Sequence, residues 1–462
     1  MTLVDSTDPR PVHFIGIAGA GMSALAELLA KRGVNITGTD ANPAGAPDLE
    51  RLGITVTAHD PAPVYNARAV VFSSAIPYAH PEMEAARMAG VVLVRRAEAL
   101  AEAVSGGTLV GIAGTHGKTT TTVMATEALA SAGADPTGVV GGRVERWAGN
   151  LRHGGNVYVV EADEYDRSFL ALDTTVAVVL NVEADHLDIY RDIDDIHRAF
   201  EQFLTPARAV VRCADDEGAM SLRVRSTHDV IAYSATATGE LPSRHARDAR
   251  LIAANLRLDS MGSRFVVQFD GEELGEIALS VPGLHNVRNA LGAIGAGLAL
   301  GYPVDRMRSG LAEFTGAERR FQRIGSAGGI ELVDDYAHHP TEVAATLAAA
   351  RHAFPGRRVV VAFQPHLYSR TRDLQQEFAT ALSAADAVFL CDVYGAREKP
   401  EPGVTSALIG DRLDSSMLRW SGPREQLVDV MSAQLKEGDV VITMGAGDIT
   451  RSARQLFDRL QK

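Results

Sequence analysis

Short apolar runs alternate with longer stretches of helical spacing along most of the chain. His13 to Ile17 reads as a strand running into a tight loop, Gly16-Ile17-Ala18-Gly19-Ala20-Gly21. Met22 to Arg32 has the spacing of an amphipathic helix and stops at Gly33, a residue suited to a helix C-terminus. Asn35 to Thr39 is a second strand, ending at Asp40, and strand-helix-strand at this spacing predicts a parallel sheet. Val70 to Ser74 is a further strand, with Ser73 and Ser74 at its carboxyl end, where α/β sheets bind ligands. The alternation restarts with a strand at Thr108 to Ile112 and a helix at Thr121 to Ser131. Strands follow at Asn156 to Val160, Thr175 to Leu180 and Ala209 to Cys213. From Leu251 to Leu279 the pattern shortens to alternating strands, with Asp270-Gly271 at a hairpin turn. An Ala-rich helix opens after Pro282-Gly283. A third block then carries strands at Ile330 to Val333, Arg358 to Phe363, Ala387 to Cys391 and Asp439 to Met444, a helix at Thr341 to Arg351 and a terminal helix.

At 462 residues the chain exceeds a single core, and about three domains are expected. The division falls at 1–106, 107–325 and 326–462. Apolar residues make up 46% of the chain, enough for well-packed cores. The net charge of −13, without a basic block, argues against nucleic acid and anionic membranes as main partners. Two cysteines, Cys213 and Cys391, cannot build a disulfide framework and suit a reducing cytoplasm. The polar start, Met1 to Val12 with Pro9 and Pro11, lacks the apolar core of a signal peptide. No run of about 18 apolar residues exists, so no membrane span is expected.

The strongest chemical signal is Gly111-Ile112-Ala113-Gly114-Thr115-His116-Gly117-Lys118-Thr119-Thr120. A buried strand, a glycine-rich turn, a lysine, hydroxyls and a helix form a phosphate cradle. The glycines let backbone N–H groups approach an anion, and the helix start adds unpaired donors. Lys118 can neutralise the outer phosphates and the Thr119 hydroxyl can bind Mg²⁺. The strict G-x-x-x-x-G-K-[ST] pattern needs Gly at 112, where this chain has Ile, so the loop is a shorter variant. Glu161-Ala162-Asp163-Glu164 ends a neighbouring strand, placed to hold Mg²⁺. His186 follows another strand end between Asp185 and Asp188, which suits a metal ligand or a catalytic group. Asn286 and Asn289 share a helix face; they could cap that helix or bond a purine.

The first loop has the spacing G-x-x-G-x-G, which leaves a nucleotide diphosphate, NAD or a structural turn open, with Asp40 able to meet a ribose hydroxyl. In the third block, Asp334-Asp335-Tyr336-Ala337-His338-His339-Pro340 and Gln364-Pro365-His366-Leu367-Tyr368-Ser369-Arg370 gather cationic and aromatic groups at strand ends. Glycine-rich segments at Ser105-Gly106-Gly107 and at Gly325 to Gly329 suit hinges.

Taken together, Gly16-Ile17-Ala18-Gly19-Ala20-Gly21-Met22, Gly114 to Thr120, Glu161 to Glu164, Asp185-His186-Leu187-Asp188, His285-Asn286-Val287-Arg288-Asn289, Asp334 to Pro340 and Asp392-Val393-Tyr394-Gly395-Ala396-Arg397-Glu398 resemble the Mur ligases of peptidoglycan synthesis, over the whole chain. The resemblance is greatest to the L-alanine-adding branch. It implies an α/β protein of three domains: a Rossmann-like N-terminal domain binding a UDP-sugar, a central P-loop-type ATPase domain with a mostly parallel sheet, and a Rossmann-like C-terminal domain. It implies a cytoplasmic, ATP- and Mg²⁺-dependent enzyme, a monomer or weak homodimer, that joins L-alanine to UDP-N-acetylmuramate through an acyl phosphate. A recycling ligase that adds a whole murein tripeptide to the same UDP-sugar is the alternative.

Carried over by residue, the UDP-sugar would meet Gly19, Gly21, Met22, Asp40, Ser73 and Ser74. ATP would meet Gly114, Thr115, His116, Gly117, Lys118, Thr119, Thr120, Asn286, Asn289, Arg320 and Asp335. Thr119, Glu161 and His186 would ligate Mg²⁺, and Tyr336, His338, His366 and Arg370 would sit near the amino acid. Lys118, His186, His338 and Arg370 would be catalytic. Position 367 is Leu, where related enzymes often carry Arg. Several sister ligases hold a second metal with a carbamylated Lys, yet this chain has no Lys between Lys118 and Lys399.

Overall fold

A computed structural model describes residues 2–236, 243–260 and 262–461. Three sheets organise it. The first contains β1 (Val12–Ile15), β2 (Ile36–Thr39), β3 (Val56–Thr57), β4 (Ala69–Phe72) and β5 (Val92–Arg95) in the order β3-β2-β1-β4-β5, every pair parallel. The second contains β6 (Thr108–Ala113), β7 (Thr137–Val144), β8 (Gly149–Arg152), β9 (Val157–Glu161), β10 (Val176–Val179), β11 (Ala209–Cys213), β12 (Asp229–Ser234), β13 (Leu251–Asp259), β14 (Gly262–Phe269) and β15 (Glu272–Leu279). Its order is β15-β14-β13-β12-β11-β10-β6-β9-β7-β8. The third contains β16 (Gln322–Ala327), β17 (Ile330–Asp335), β18 (Val359–Phe363), β19 (Ala387–Cys391), β20 (Leu418–Gly422) and β21 (Val440–Met444), ordered β16-β17-β21-β18-β19-β20.

The central strands are continuous apolar runs because helices cover both faces of a parallel sheet. Val176-Ala177-Val178-Val179 and Val359-Val360-Val361-Ala362-Phe363 are buried throughout. The first two sheets share one core, which runs from Phe14, Leu25 and Leu29 to Val160, Phe200 and Phe203. There Phe169 meets Phe200 edge-on and stacks on Phe203, with ring centroids 5.1 Å and 5.0 Å apart. Each fully buried Phe contributes about 1.5–3 kcal/mol of burial free energy. Asp270 and Gly271 adopt positive φ of 51° and 84°, the backbone of a two-residue hairpin turn between β14 and β15.

Two compact units result. The first takes in the chain to Leu256, with Arg264–Leu279 and Asn286–Phe314; the second takes in Arg257–Ser263, Ser280–His285 and Thr315 onward. The expected division at 326 therefore falls inside β16, which pairs antiparallel with β17. Gly328 and Gly329, at positive φ of 58° and 74°, turn that hairpin, so 325–329 is a strand end and a turn in place of the expected hinge. The expected division after 106 falls between the helix Arg96–Ala103 and β6, inside the first unit. Among the described residues, no helix is long and apolar enough to cross a membrane.

Candidate active site

β6 delivers the chain into the phosphate loop, and the helix that follows begins at Lys118, three residues earlier than its spacing suggested. Thr119 and Thr120 thus lie in the first turn, where backbone N–H groups have no partner within the helix. Gly117 caps this helix at φ 84°, and a Cβ placed there would lie 2.6 Å from Asn289 Oδ1. The same close approach brings Asn289 against the loop, and Asn289 Nδ2 lies 3.4 Å from Asn286 Oδ1. Both asparagines are buried in the first two turns of the helix Leu284–Ala299. Residues 181–183 brace the loop from β10. The Asn181 side chain accepts from His116 N–H at 2.7 Å and donates to the His116 carbonyl at 3.1 Å, while Thr115 Oγ1 accepts from Glu183 N–H at 2.9 Å.

The Lys118 ammonium donates to the Gly114 carbonyl at 2.7 Å and to both oxygens of Glu164 at 2.9 Å and 2.7 Å. Burial works against its charge, but Glu164, Asp163 and Glu161 outweigh burial and raise its pKa. Burial likewise opposes ionisation of Glu164, and Lys118 and His186 overcome it, so this carboxyl lies below its ordinary value. Thr119 Oγ1 lies 3.0 Å from each oxygen of Glu161, which also accepts Gly141 N–H at 2.7 Å. A hydroxyl and a carboxylate on adjoining elements are hard oxygen donors and fit Mg²⁺. His186 is grouped differently: its Nε2 lies 3.5 Å from Glu164 Oε1 and 3.8 Å from Asp185 Oδ2, and its buried Nδ1 makes no hydrogen bond. It stands beside the carboxylate that holds Lys118.

At the first glycine loop, Asp40 Oδ2 accepts Ala18 N–H at 2.9 Å, and the Thr39 carbonyl accepts Gly16 and Ile17 N–H at 2.8 Å and 3.0 Å. Gly19 ends the loop as the N-cap of the helix Ala20–Lys31. A Cβ on Gly21 would lie 2.9 Å from Arg96 Nη1, so a guanidinium rests against this loop. Arg96 Nη2 also stands 3.9 Å from Asp163 Oδ2, beside the Lys118 group. Ser73 and Ser74 follow β4, and Ile76 just beyond would touch a Cβ on Gly16 at 3.4 Å. The Met22 side chain is 3% exposed, within the core, and its N–H donates to the Gly19 carbonyl.

In the second unit, Asp335 accepts Phe321 N–H and Ala337 N–H, each at 2.7 Å. Burial pushes its pKa up to about 6 despite the nearby Arg320. Tyr336 lies under two guanidinium groups, Arg319 at 4.7 Å and Arg320 at 5.1 Å from its ring centre. Rings then continue edge-on from Tyr336 to His338 at 5.1 Å and from His338 to His366 at 5.7 Å, and His366 stacks on Tyr394 at 5.9 Å. Arg370 Nη1 stands 3.4 Å from His366 Nδ1. His338 Nδ1 faces the Tyr336 carbonyl at 3.0 Å and Glu342 Oε2 at 3.1 Å. A proton on Nδ1 satisfies both acceptors and leaves the Nε2 lone pair available.

Three domain patterns match this chain: "Mur ligase family, catalytic domain" at residues 11–108, "Mur ligase middle domain" at 112–297 and "Mur ligase, glutamate ligase domain" at 319–447. The chain belongs to the Mur ligase family. A UDP-N-acetylmuramate–L-alanine ligase of Salinibacter ruber is 42% identical over 462 residues, covering 98% of this chain and 95% of the relative. One of Thermobifida fusca is 41% identical over 478 residues, covering all of both. The solved UDP-N-acetylmuramate-alanine ligase of Thermotoga maritima superposes with a TM-score of 0.82 at 28% identity, covering 98% of this chain and 99% of that one. A murein peptide ligase from Psychrobacter arcticus superposes with a TM-score of 0.72 at 24% identity, which is likeness of fold.

Within this Mur ligase, the structure gathers Gly114 to Thr120, Glu161, His186 and Asn289 in the first unit. Arg320, Asp335, Tyr336, His338, His366 and Arg370 gather in the second. Asn181, Arg96 and Arg319 were not singled out from sequence, and Glu164 was read only as part of the acidic run placed to hold Mg²⁺. Glu164 carried a local signal, an acid at a strand end, but which of the acids there meets Lys118 depends on the 3₁₀ turn Tyr165–Ala171 that follows.

Proposed function

We propose that this Mur ligase joins L-alanine to the lactyl carboxylate of UDP-N-acetylmuramate with consumption of ATP. The reading is carried by likeness over the whole chain to UDP-N-acetylmuramate–L-alanine ligases, at 42% identity, and it gives each cluster a task. A carboxylate is a poor acyl donor because oxide does not leave. Transfer of the γ-phosphoryl group of ATP to a carboxylate oxygen releases ADP and forms an acyl phosphate. The neutral amine of L-alanine then attacks the carbonyl carbon. The C–N bond forms, the C–O bond breaks, phosphate leaves and the amine proton passes to a base.

Such chemistry depends on positioning and charge neutralisation more than on covalent help from the protein. Lys118 meets the β/γ phosphates, with the N–H groups of Gly117 to Thr120 around them. Thr119, Glu161 and His186 would hold Mg²⁺, which neutralises phosphate charge when bound. Asn286 and Asn289 serve the adenine side, and Arg320 and Asp335 are nucleotide-contact residues. Gly19, Gly21, Asp40, Ser73, Ser74 and Arg96 serve the UDP-sugar. His366, Arg370 and Tyr336 serve L-alanine, and His338 Nε2 is the acceptor for the amine proton. Two buried free cysteines suit a cytoplasmic setting.

The test is release of phosphate from ATP with UDP-N-acetylmuramate and Mg²⁺, offered L-alanine, glycine, L-serine or a murein tripeptide. L-alanine should give the highest kcat/KM. Preference for the tripeptide would replace this reading with the recycling one.

A further inference from the structure

The first sheet carries a group of side chains that the ligation chemistry leaves unused. Glu82 lies in the first turn of the helix Pro81–Ala89 and has no exposed surface. Its carboxylate accepts from Thr39 Oγ1 at 2.9 Å and 2.7 Å, and faces His13 Nε2 and His59 Nδ1, each at 2.9 Å. His13 is itself fully buried, and its Nδ1 lies 3.0 Å from Thr37 Oγ1. His80, the N-cap of the Glu82 helix, meets His59 edge-on with ring centroids 4.6 Å apart. Ligand atoms of His59, His80 and Glu82, one from each, all lie within 4.8 Å of one another.

A wholly buried carboxylate persists only when it is paired and hydrogen-bonded. Here Thr39 Oγ1, His13 Nε2 and His59 Nδ1 surround the Glu82 carboxylate, each within 2.9 Å. His80 Nδ1 accepts Glu82 N–H at 3.3 Å as the cap of that helix, and an ion taken by His80 replaces this contact. Two imidazoles and one carboxylate, with a fourth position left open, are the donor set of Zn²⁺ and similar ions. Bonds of about 2.0–2.1 Å in a tetrahedron separate ligands by roughly 3.3 Å. His59 and Glu82 need only open by a few tenths of an ångström to reach that spacing, while His80 closes toward them. His13 and Thr39 would hold the carboxylate from behind, as outer partners of metal ligands do.

We propose that His59, His80 and Glu82 form a site for a transition-metal dication of the Zn²⁺ class in the N-terminal sheet, separate from the Thr119 and Glu161 pair. Thr39 joins it to the diphosphate loop: its hydroxyl serves Glu82 while its carbonyl holds Gly16 and Ile17 N–H. An ion bound there ties together β2, the chain after β3 and the start of the Glu82 helix, and stabilises the folded first sheet by mass action.

The test uses the full chain, stripped of metal and freed of chelator, titrated with Co²⁺ as a visible probe and then with Zn²⁺ against a chromophoric chelator. His186→Ala removes the competing imidazole of the Lys118 group. The expected result is one Co²⁺ per chain with a four-coordinate spectrum, retained in His186→Ala. The double variant His59→Ala/His80→Ala should lose at least about 100-fold in affinity, and His13→Ala about 10- to 100-fold. His59 is exposed and His80 half-buried, so the double variant keeps the contacts of Glu82 with Thr39 and His13 and removes those with His59 and His80. Circular dichroism checks its fold; should it fail to fold, the stoichiometry and spectrum of His186→Ala decide. Absence of a tetrahedral ion in His186→Ala, or unchanged affinity in the double variant, would make the cluster a hydrogen-bonded brace and overturn the proposal.

Discussion

The two glycine-rich loops follow equivalent strands, β1 and β6, yet they hold charge by different means. Around Gly16 to Gly21 the loop is fixed by Asp40 and by the Thr39 carbonyl, and the cation beside it, Arg96, comes from a helix far along the chain. Around Gly114 to Gly117 the cation is built in: Lys118 opens the next helix and is held by Glu164. A loop that only grips a diphosphate needs oriented N–H groups and a fixed charge. A loop that acts on a phosphoryl group in transfer needs a charge that follows it, together with oxygen ligands for a metal.

The largest expected effect separates the loops at once. Lys118→Ala should lower kcat by ~10³-fold or more while leaving UDP-sugar affinity near its original value. A folded variant with near-normal turnover would place the phosphoryl-handling charge elsewhere. Gly117→Ala comes next. Its φ of 84° and the 2.6 Å approach to Asn289 Oδ1 leave no room for a methyl group. A displaced loop should reduce kcat/KM for ATP by about 10²-fold, measured by steady-state kinetics.

The difference between the loops also shows what sequence can and cannot carry. Lys118, Thr119 and the glycines beside them are contiguous, and strand-turn-helix spacing alone made them legible. So did the buried strands of each sheet, since β11 and β19 match their apolar runs residue for residue. Several strands that escaped carry glycine or polar residues: β7 contains Gly141-Gly142, β16 begins Gln322-Arg323, and β20 mixes Arg419 and Ser421 into its run; β12, inside its sheet, opens on Asp229 and also escaped. Periodicity fails there because one face is not uniformly buried. Arg96 and Asn181 escaped for another reason. Each acts across 65 residues or more, on Gly21 and His116, and only the folded chain brings them there. Met22 adjoins the loop in sequence, and helix phase turns its side chain into the core.

Arg96 sharpens the comparison with a smaller effect. Arg96→Ala should raise KM for UDP-N-acetylmuramate by about 10-fold, the scale of one charge-assisted hydrogen bond, with kcat changed far less. An equal loss in kcat would mean that Arg96 serves the Asp163 side as well. The smallest effect belongs to Gly19→Ala. Here φ is −61° and a Cβ would sit 3.4 Å from the Gly16 carbonyl oxygen, ordinary contact. Stability should change by no more than about 0.5 kcal/mol in thermal melts. A loss matching that of Gly117→Ala would show that both loops require glycine equally and erase the contrast.

The most direct measurement follows an oxygen atom. UDP-N-acetylmuramate labelled with ¹⁸O in its lactyl carboxylate is turned over with ATP and L-alanine, and the released phosphate is weighed by mass spectrometry. Transfer of the phosphoryl group to the carboxylate requires one labelled oxygen to leave with phosphate. Phosphate carrying one ¹⁸O for each amide formed is the expected result. Unlabelled phosphate, with the amide still formed, would contradict the assignment of the Lys118 loop to carboxylate activation.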